Sequence, residues 1–435
     1  MENCERGFYL VMKNMMVVLL LLLPAVANAE QVSLVDQRAM VALDAGEADA
    51  VKILPRSEKL VLKATLALKG GSPERALGYL KEEGSGIDPL VALLEAEAHR
   101  QSALQAVRRA GDYASGLKNE KKKLEGADFS PGLVEAKVRL NAFMDRLDGV
   151  YGKPLHLLRL ASDIQSVFMV DKTRSRMFVY ERDEAGEFQR VADEYIVTGA
   201  KGGDKQKRGD ARTPNGIYRF VKRLNDDQLE ARYGPIAFPI DYPNELDLLH
   251  HKNGSGIWMH GYPEGVGRRP PQDTRGCFAL PNDRLLAMAK HVHLQHSWVI
   301  VGENFVFDQN GKRDALLSSV TSTLTQWQQD WASLDTEAYL GHYHQAFRSG
   351  KRDLAGWKRY KKKVNSHKSF IKVSLSDISL IHDPNHWPEG EVVVAEFDQH
   401  YRSNNYQDVT RKRIYLARAN DIGPWKVLIE ESVSP

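Results

Sequence analysis

Cysteine is nearly absent from this chain, with two in 435 residues, Cys4 and Cys277. A fold stapled by disulfides is therefore excluded. Charge of one sign is lacking as well. Lys and Arg number 60 against 57 Asp and Glu, a formal net charge of +3, which gives no electrostatic footprint for a dedicated nucleic-acid binder. No apolar run reaches the roughly 20 residues that a membrane-spanning helix needs. With 42% hydrophobic and 27% charged residues, the composition fits neither a disordered nor a polytopic membrane protein. Phosphate-binding glycine loops are missing too: Lys201-Gly202-Gly203-Asp204 lacks the strand–loop–helix context and reads as a flexible loop. His250, His251, His291, His293 and His296 have no metal-protease or zinc-finger spacing, so neither metal nor cofactor is expected.

What is present begins with a segment that has the form of a secretory signal. Met15 to Leu23 is an unbroken apolar run between Lys13 and Pro24, too short for a span. Ala27-Asn28-Ala29 follows, the small-x-small pattern a signal peptidase cuts, so residues 1–29 are expected to be a signal peptide with Glu30 the first mature residue, the alternative being a short membrane anchor that is never removed. Glu2 and Glu5 are unusual in such an n-region and leave the start open between Met1 and Met12. Cleavage removes Cys4. The mature chain then carries one thiol, Cys277, either a buried apolar residue or a nucleophile.

At about 150 residues per domain, the length predicts three domains. Residues 30–160 are rich in Ala, Leu, Glu, Lys and Arg, with apolar residues at three- and four-residue spacing, as in Leu90, Leu93, Leu94 and Ala98. This predicts a helical domain, with Ser72-Pro73-Glu74 as a helix start. Near Ser166 short apolar runs take over and predict a β-rich domain over 161–305, with one helix at Pro281 to Lys290. Residues 318–435 open with an aromatic-studded helical stretch containing Trp327, Trp331, Leu334, Tyr339, Tyr343 and Phe347, then give four strand-like runs, an α+β signature. The aromatic stripe is expected to be core. The basic run Lys358 to Lys363 is expected to be a solvated helix face.

The chemistry-bearing residues are His260-Gly261 and Thr274-Arg275-Gly276-Cys277, the cysteine 17 positions after the histidine. A thiol of ordinary pKa, roughly 8.5, is mostly protonated at neutral pH, and a neighbouring imidazole can take its proton. Gly276 leaves no side chain beside the sulfur, so the N–H groups of Gly276 and Cys277 are candidates to face a developing oxyanion. Thr274 can fix the turn with its hydroxyl.

Ile257-Trp258-Met259-His260-Gly261, followed after a gap by Thr274-x-Gly276-Cys277, resembles the catalytic signature of the L,D-transpeptidase (YkuD-type) domain. Asp171-Lys172 with Met177 to Tyr180, Thr213-Pro214-Asn215-Gly216, and Tyr242-Pro243-Asn244 with Asp247 extend the resemblance over Ser166 to Gly302. The flanking regions resemble helical-cell-shape L,D-carboxypeptidases, whose last domain resembles nuclear transport factor 2. The resemblance implies a periplasmic enzyme acting on peptidoglycan stem peptides. Cys277 would attack the carbonyl of the third residue at its bond to D-alanine, and His260 would serve as base and then acid. Amine or water would accept the thioester, making a transpeptidase or a carboxypeptidase.

Family transpeptidases commonly carry Arg two positions after the cysteine, where this chain has Ala279. Arg268, Arg269 and Arg275 are replacement cations for a substrate carboxylate. With Thr274, Gly261 and Asn282 they make the expected substrate-binding set. The loop Tyr262 to Asp273 is a candidate lid. The helical region is a candidate homodimer surface, and the last domain a candidate pocket for a wall fragment. The competing reading is a non-catalytic wall scaffold with an inactive central domain.

Overall fold

The computed structural model describes residues 34–46, 49–52, 54–82, 89–110, 130–147 and 150–433, except 267, 268, 304, 309 and 420–422. The expected signal peptide and Arg268 lie outside the described residues. The chain divides into two units, residues 1–148 and 149–435.

The first unit is helical: α1 (Leu34–Ala45), α2 (Asp49–Lys52), α3 (Arg56–Lys69), α4 (Pro73–Lys81), α5 (Pro89–Ala110) and α6 (Ser130–Leu147). Helix α4 starts at Pro73 as its sequence dictates, although the Ser72 hydroxyl makes no capping bond. Leu90, Leu94 and Ala98 recur at four-residue spacing and bury one stripe of α5 against Val61, Ala64 and Leu68 of α3 and Ala76 and Leu80 of α4. The opposite face of α3, through Leu62 and Leu66, packs with Ala39, Leu43, Leu140 and Phe143.

The second unit begins with β1 (Lys153–Pro154) and β2 (Leu157–Arg159), so extended structure starts before the change of spacing near Ser166. There follow β3 (Ser166–Asp171), β4 (Arg176–Arg182), β5 (Phe188–Tyr195), β6 (Thr198–Gly199), β7 (Gly216–Arg219), β8 (Leu224–Asn225), β9 (Ile236–Pro239), helix α7 (Glu245–Leu249), β10 (Trp258–His260), β11 (Gln272–Thr274), β12 (Phe278–Ala279), helix α8 (Asn282–Ala289), β13 (Ser297–Gly302) and β14 (Phe307–Asp308). They form a five-stranded sheet, β5-β4-β3-β13-β7, and a four-stranded one, β12-β10-β9-β8.

The C-terminal part contributes α9 (Lys312–Ala332), α10 (Thr336–Leu340), β15 (Tyr343–Ser349), β16 (Arg352–Asp353), α11 (Leu354–Asn365), β17 (Ile371–His382), β18 (Glu391–Ser403), β19 (Gln407–Arg418) and β20 (Lys426–Ser432). Tyr343 and Phe347, expected on a helix, lie on β15 and are both buried. A four-residue spacing puts two rings on one face of a strand as well as of a helix. The strands form a seven-stranded sheet, β16-β15-β20-β19-β18-β17-β2, whose last member comes from before the catalytic-type domain.

Period-two alternation explains the layering. In β3, Phe168 and Val170 face the four-stranded sheet and pack with Phe238, Met259 and Phe278. Val167 and Met169 face the other way and pack with Ile381, Val392 and Val394 of the seven-stranded sheet. In β13, Val299 and Val301 join the first core, Trp298 and Ile300 the second. The central sheet is thus covered on both faces, and the two C-terminal domains of the chain share one core.

Charge reinforces that junction. Glu396 accepts from Arg219 at 2.7 Å, Arg413 at 2.9 Å and Arg411 at 3.3 Å, and the Arg219 guanidinium lies 3.5 Å from the Trp298 ring centroid. Burial alone would raise Glu396, but the three guanidiniums outweigh it and hold the carboxyl below its ordinary range.

Candidate functional site

Strand β10 carries His260 and pairs in parallel with β12, with Met259 opposite Phe278 and His260 opposite Ala279. Cys277 enters β12 one residue ahead of Phe278. Its side chain therefore leaves the same sheet face as His260, offset diagonally along the strand. The thiol donates to the Gly256 carbonyl at 3.5 Å. His260 is buried, and its Nδ1 meets the Gly261 carbonyl at 2.6 Å. A carbonyl can only accept, so Nδ1 carries the proton and Nε2 is left as the base.

Burial lowers the His260 pKa to about 4, with the Gly261 carbonyl opposing this and Arg269 and Arg232 adding to it. The thiol of Cys277 is only partly covered, yet desolvation pushes it up to about 11 against the pull of a backbone hydrogen bond and of Lys205, Arg269 and Arg232. The resting pair is therefore neutral thiol and neutral imidazole, and the thiolate forms by proton transfer as the site is used.

Thr274 organises the turn before the cysteine: its Oγ1 donates to the Cys277 carbonyl at 2.6 Å and accepts the Gly276 N–H at 3.1 Å. This corrects the expected oxyanion pair, because the Gly276 N–H is already engaged by the hydroxyl two residues back. Gly276 is required for another reason. Its φ is +128°, and a Cβ there would lie 2.7 Å from the Arg212 carbonyl oxygen. Behind the turn, Thr213 Oγ1 accepts the Gly199 N–H at 2.9 Å and donates to the Cys277 carbonyl at 3.3 Å.

Gly261 packs on Asn282, whose Oδ1 accepts the Tyr262 N–H at 2.8 Å. The contact Asn282 makes is thus to the backbone beside His260. Arg269 pairs with Asp273 at 2.8 Å, and Arg275 is exposed. The candidate lid is anchored at its far end, where Tyr195 Oη donates to the Arg269 carbonyl and the Thr198 N–H to the Pro271 carbonyl, each at 3.0 Å. Glu264 to Val266 stay exposed.

Tyr233 escaped the sequence reading. Its ring meets His260 edge-on at 5.1 Å and Trp258 at 4.8 Å, and its carbonyl accepts the Gly261 N–H at 2.9 Å. The only local signal was Gly234 just after it, with φ +69° and its Cα against Gly261. Arg232 and Lys205, the other cations facing the pair, carried no motif.

A cavity of 670 Å³ opens in the C-terminal domain among Trp331, Trp357, Lys361, Tyr401, Lys412 and Glu430. Lys361 departs from the solvated face expected of its run. Its amine is buried 4.2 Å from the Trp331 ring centroid and 4.6 Å from that of Trp357, and burial lowers its pKa to about 8. The aromatic stripe is core, as expected, and one of its rings, Trp331, also lines this cavity.

Residues 165–301 match the family model of the L,D-transpeptidase catalytic domain, YkuD, and residues 319–431 match the Cds6 C-terminal NTF2-like domain. The chain belongs to the L,D-transpeptidase catalytic-domain family, joined to an NTF2-like domain. It is similar to the helical cell shape determining protein Pgp2 from Campylobacter jejuni, at 31% identity over 65% of this chain and 97% of that one, with a TM-score of 0.55. Bd1075 of Bdellovibrio bacteriovorus is similar at 26% identity over 65% of this chain and 98% of that one, with a TM-score of 0.56. A comparison with curated proteins finds no match. The protein is thus an enzyme of the L,D-transpeptidase type, a family that acts on peptidoglycan peptides.

Proposed function

We infer that the protein is an exported cysteine enzyme that cleaves the L,D-peptide bond of peptidoglycan stem tetrapeptides in cell-wall remodelling. The observation that carries this reading is the placement of Cys277 directly before the strand that pairs with the one carrying His260, with Nδ1 of His260 held by the Gly261 carbonyl. In the reaction, His260 Nε2 takes the thiol proton as Cys277 Sγ bonds to the carbonyl carbon of the third stem residue. The tetrahedral intermediate collapses to a thioester, and the same proton leaves on the amine of D-alanine. Water, deprotonated by His260, then frees a tripeptide; an amine in its place gives a crosslink or a protein attachment. Water is the favoured acceptor, because Ala279 stands beside His260 where family transpeptidases commonly carry arginine, and a guanidinium suits an amine donor's carboxylate.

Residues 1–29 address the chain to the periplasm in this reading. The similarity to Pgp2 supports a part in cell shape. The helical unit would pair two copies. The cavity around Lys361 suits a wall fragment, since an amine framed by indole rings can hold a carboxylate while the rings cover apolar surface.

Incubating the protein with tetrapeptide muropeptides and resolving the products tests the reading. Loss of D-alanine alone marks a carboxypeptidase, dimers a transpeptidase. No turnover of any stem peptide, or turnover unchanged by Cys277→Ala, would leave the scaffold reading.

A further inference from the structure

Trp387 belongs to the turn between β17 and β18 in the C-terminal domain, yet its ring sits in the catalytic domain's territory. His250 stacks on it with centroids 5.2 Å apart and planes 20° apart. The Lys252 amine lies 4.2 Å from its ring centroid. Both Trp387 and Lys252 are more than nine-tenths buried. Around them the same turn is pinned to the central sheet: Asn385 Nδ2 donates to the Val301 carbonyl at 3.0 Å, and Pro384 packs where a Cβ on Gly302 would be.

Lys252 is the joint between this turn and the site. Its amine meets Asp204 at 2.6 Å and Asp247 at 3.0 Å. Asp204 Oδ1 in turn accepts the Asn215 N–H at 2.8 Å. The same loop is held from another side by Lys172, which donates to the carbonyls of Gly203 at 2.8 Å and Thr213 at 3.0 Å. The segment 201–204, expected to be flexible, is therefore tied down at each end, since the Lys201 N–H also donates to the Ala211 carbonyl at 3.0 Å. Between these ties the loop presents Thr213 Oγ1 to the Cys277 carbonyl and the Arg212 carbonyl to Gly276. It also carries Lys205, one of the cations facing the thiol.

We propose that Trp387 of the C-terminal domain is a positioning residue for the reaction, fixing Lys252 and through Asp204 the loop that backs the Cys277 turn. The physical basis is direct. An indole face attracts an ammonium and seals it from water, which strengthens the Lys252 contacts to the two carboxylates. Without the ring, water reaches the amine, the Asp204 tether slackens, and the loop loses one of the holds that set the height of the thiol. Displacements on that scale cost reactions dearly. The C-terminal domain then tunes the chemical step as well as whatever it binds.

The proposal rests on the cysteine peptidase reading, so the test uses two readouts on the full-length protein. Steady-state kinetics on a soluble tetrapeptide give kcat and KM; the rate of iodoacetamide alkylation at Cys277, followed by mass spectrometry, needs no peptide substrate. Trp387→Ala should lower kcat about tenfold or more with KM within about twofold, and slow alkylation about threefold. Trp387→Phe, which keeps an aromatic face, should retain most of both rates. Asn385→Ala, another contact of the same turn, should lower the melting temperature while leaving both rates near the parent values. If Trp387→Ala fails to fold, Trp387→Leu replaces it with the same expected losses. The proposal is overturned if the Ala or Leu variant matches the parent, if Phe loses as much as Ala, or if Asn385→Ala loses rate in proportion. If the parent turns over no tetrapeptide, the functional reading fails, and the alkylation rates alone decide this one.

Discussion

A Cβ on Gly261 would stand 2.1 Å from Oδ1 of Asn282, the atom that holds the Tyr262 N–H. The residue after His260 is therefore glycine because the first turn of α8 reaches into its space.

Gly261→Ala should reduce kcat/KM by about a hundredfold, since the clash moves the loop that carries the Nδ1 acceptor of His260. Asn282→Ala should cost less, about tenfold, by leaving one buried N–H without its acceptor. In the double variant the clash is gone, so part of the Gly261→Ala loss returns. Equal or additive losses in a double-mutant cycle would refute the steric account.

The pH dependence follows from the neutral pair. His260 stays unprotonated down to about pH 4, so the acid limb of kcat/KM should lie near pH 4–5 and not near the ordinary imidazole value. On the alkaline side, Cys277 in the free enzyme, held up near 11 by burial, should be alkylated faster with every rise in pH through 9. An acid limb between 6 and 7, or alkylation that levels off below pH 8, contradicts this assignment.

Thr274→Val keeps the volume but strips the hydroxyl that bridges the Gly276 N–H and the Cys277 carbonyl. We expect kcat to fall by about 10- to 100-fold, with Thr274→Ser retaining most of the activity. A Ser variant as poor as Val would mean that the hydroxyl bridge alone does not account for the loss.

At the junction of the two sheets, Glu396→Ala should destabilise by about 3–5 kcal/mol, because the two buried guanidiniums of Arg219 and Arg413 and the partly buried one of Arg411 lose their common counter-charge. For a unit of this size that is roughly 10 °C in Tm. The folded-state pKa of Glu396 is lowered, so its contribution is present above the ordinary glutamate pKa and is lost as pH falls through the depressed value. Thermal melts between pH 3 and 7 should show the parent and the variant converging at the acid end.

Lys361→Met removes the buried amine from the aromatic cavity while keeping its bulk. Activity on intact sacculi should drop more than activity on a soluble tetrapeptide. Equal losses on the two substrates would argue against a recruiting role for the cavity.

Much of the site was legible because it is local. Thr274, Gly276 and Cys277 lie within four residues, and His260 closes a short strand whose pattern shows in the sequence. Residues that act across the fold were silent. Tyr233 reaches His260 only because Gly234 lets two loops touch, and Lys252 matters only once Trp387 arrives from another domain. Lys361 reads as one of a run of solvated cations, and only packing selects which of them turns inward. Tyr343 and Phe347 share a spacing that helix and strand both satisfy, so the pattern alone had no means to choose.

Strand β2 pairs with β17, Leu157 opposite Ile381, although the whole catalytic-type domain lies between them in the chain. The C-terminal sheet therefore has no finished edge until the polypeptide has passed through the neighbouring domain and come back. During synthesis, β2 leaves the ribosome long before its partner exists, and it waits as an unpaired edge. A stop codon between β13 and β17 strands that edge and bares the face of the central sheet that Ile381 and Val394 cover. In this chain the two domains therefore form one folding piece, and a cut between them would leave each with an uncovered face.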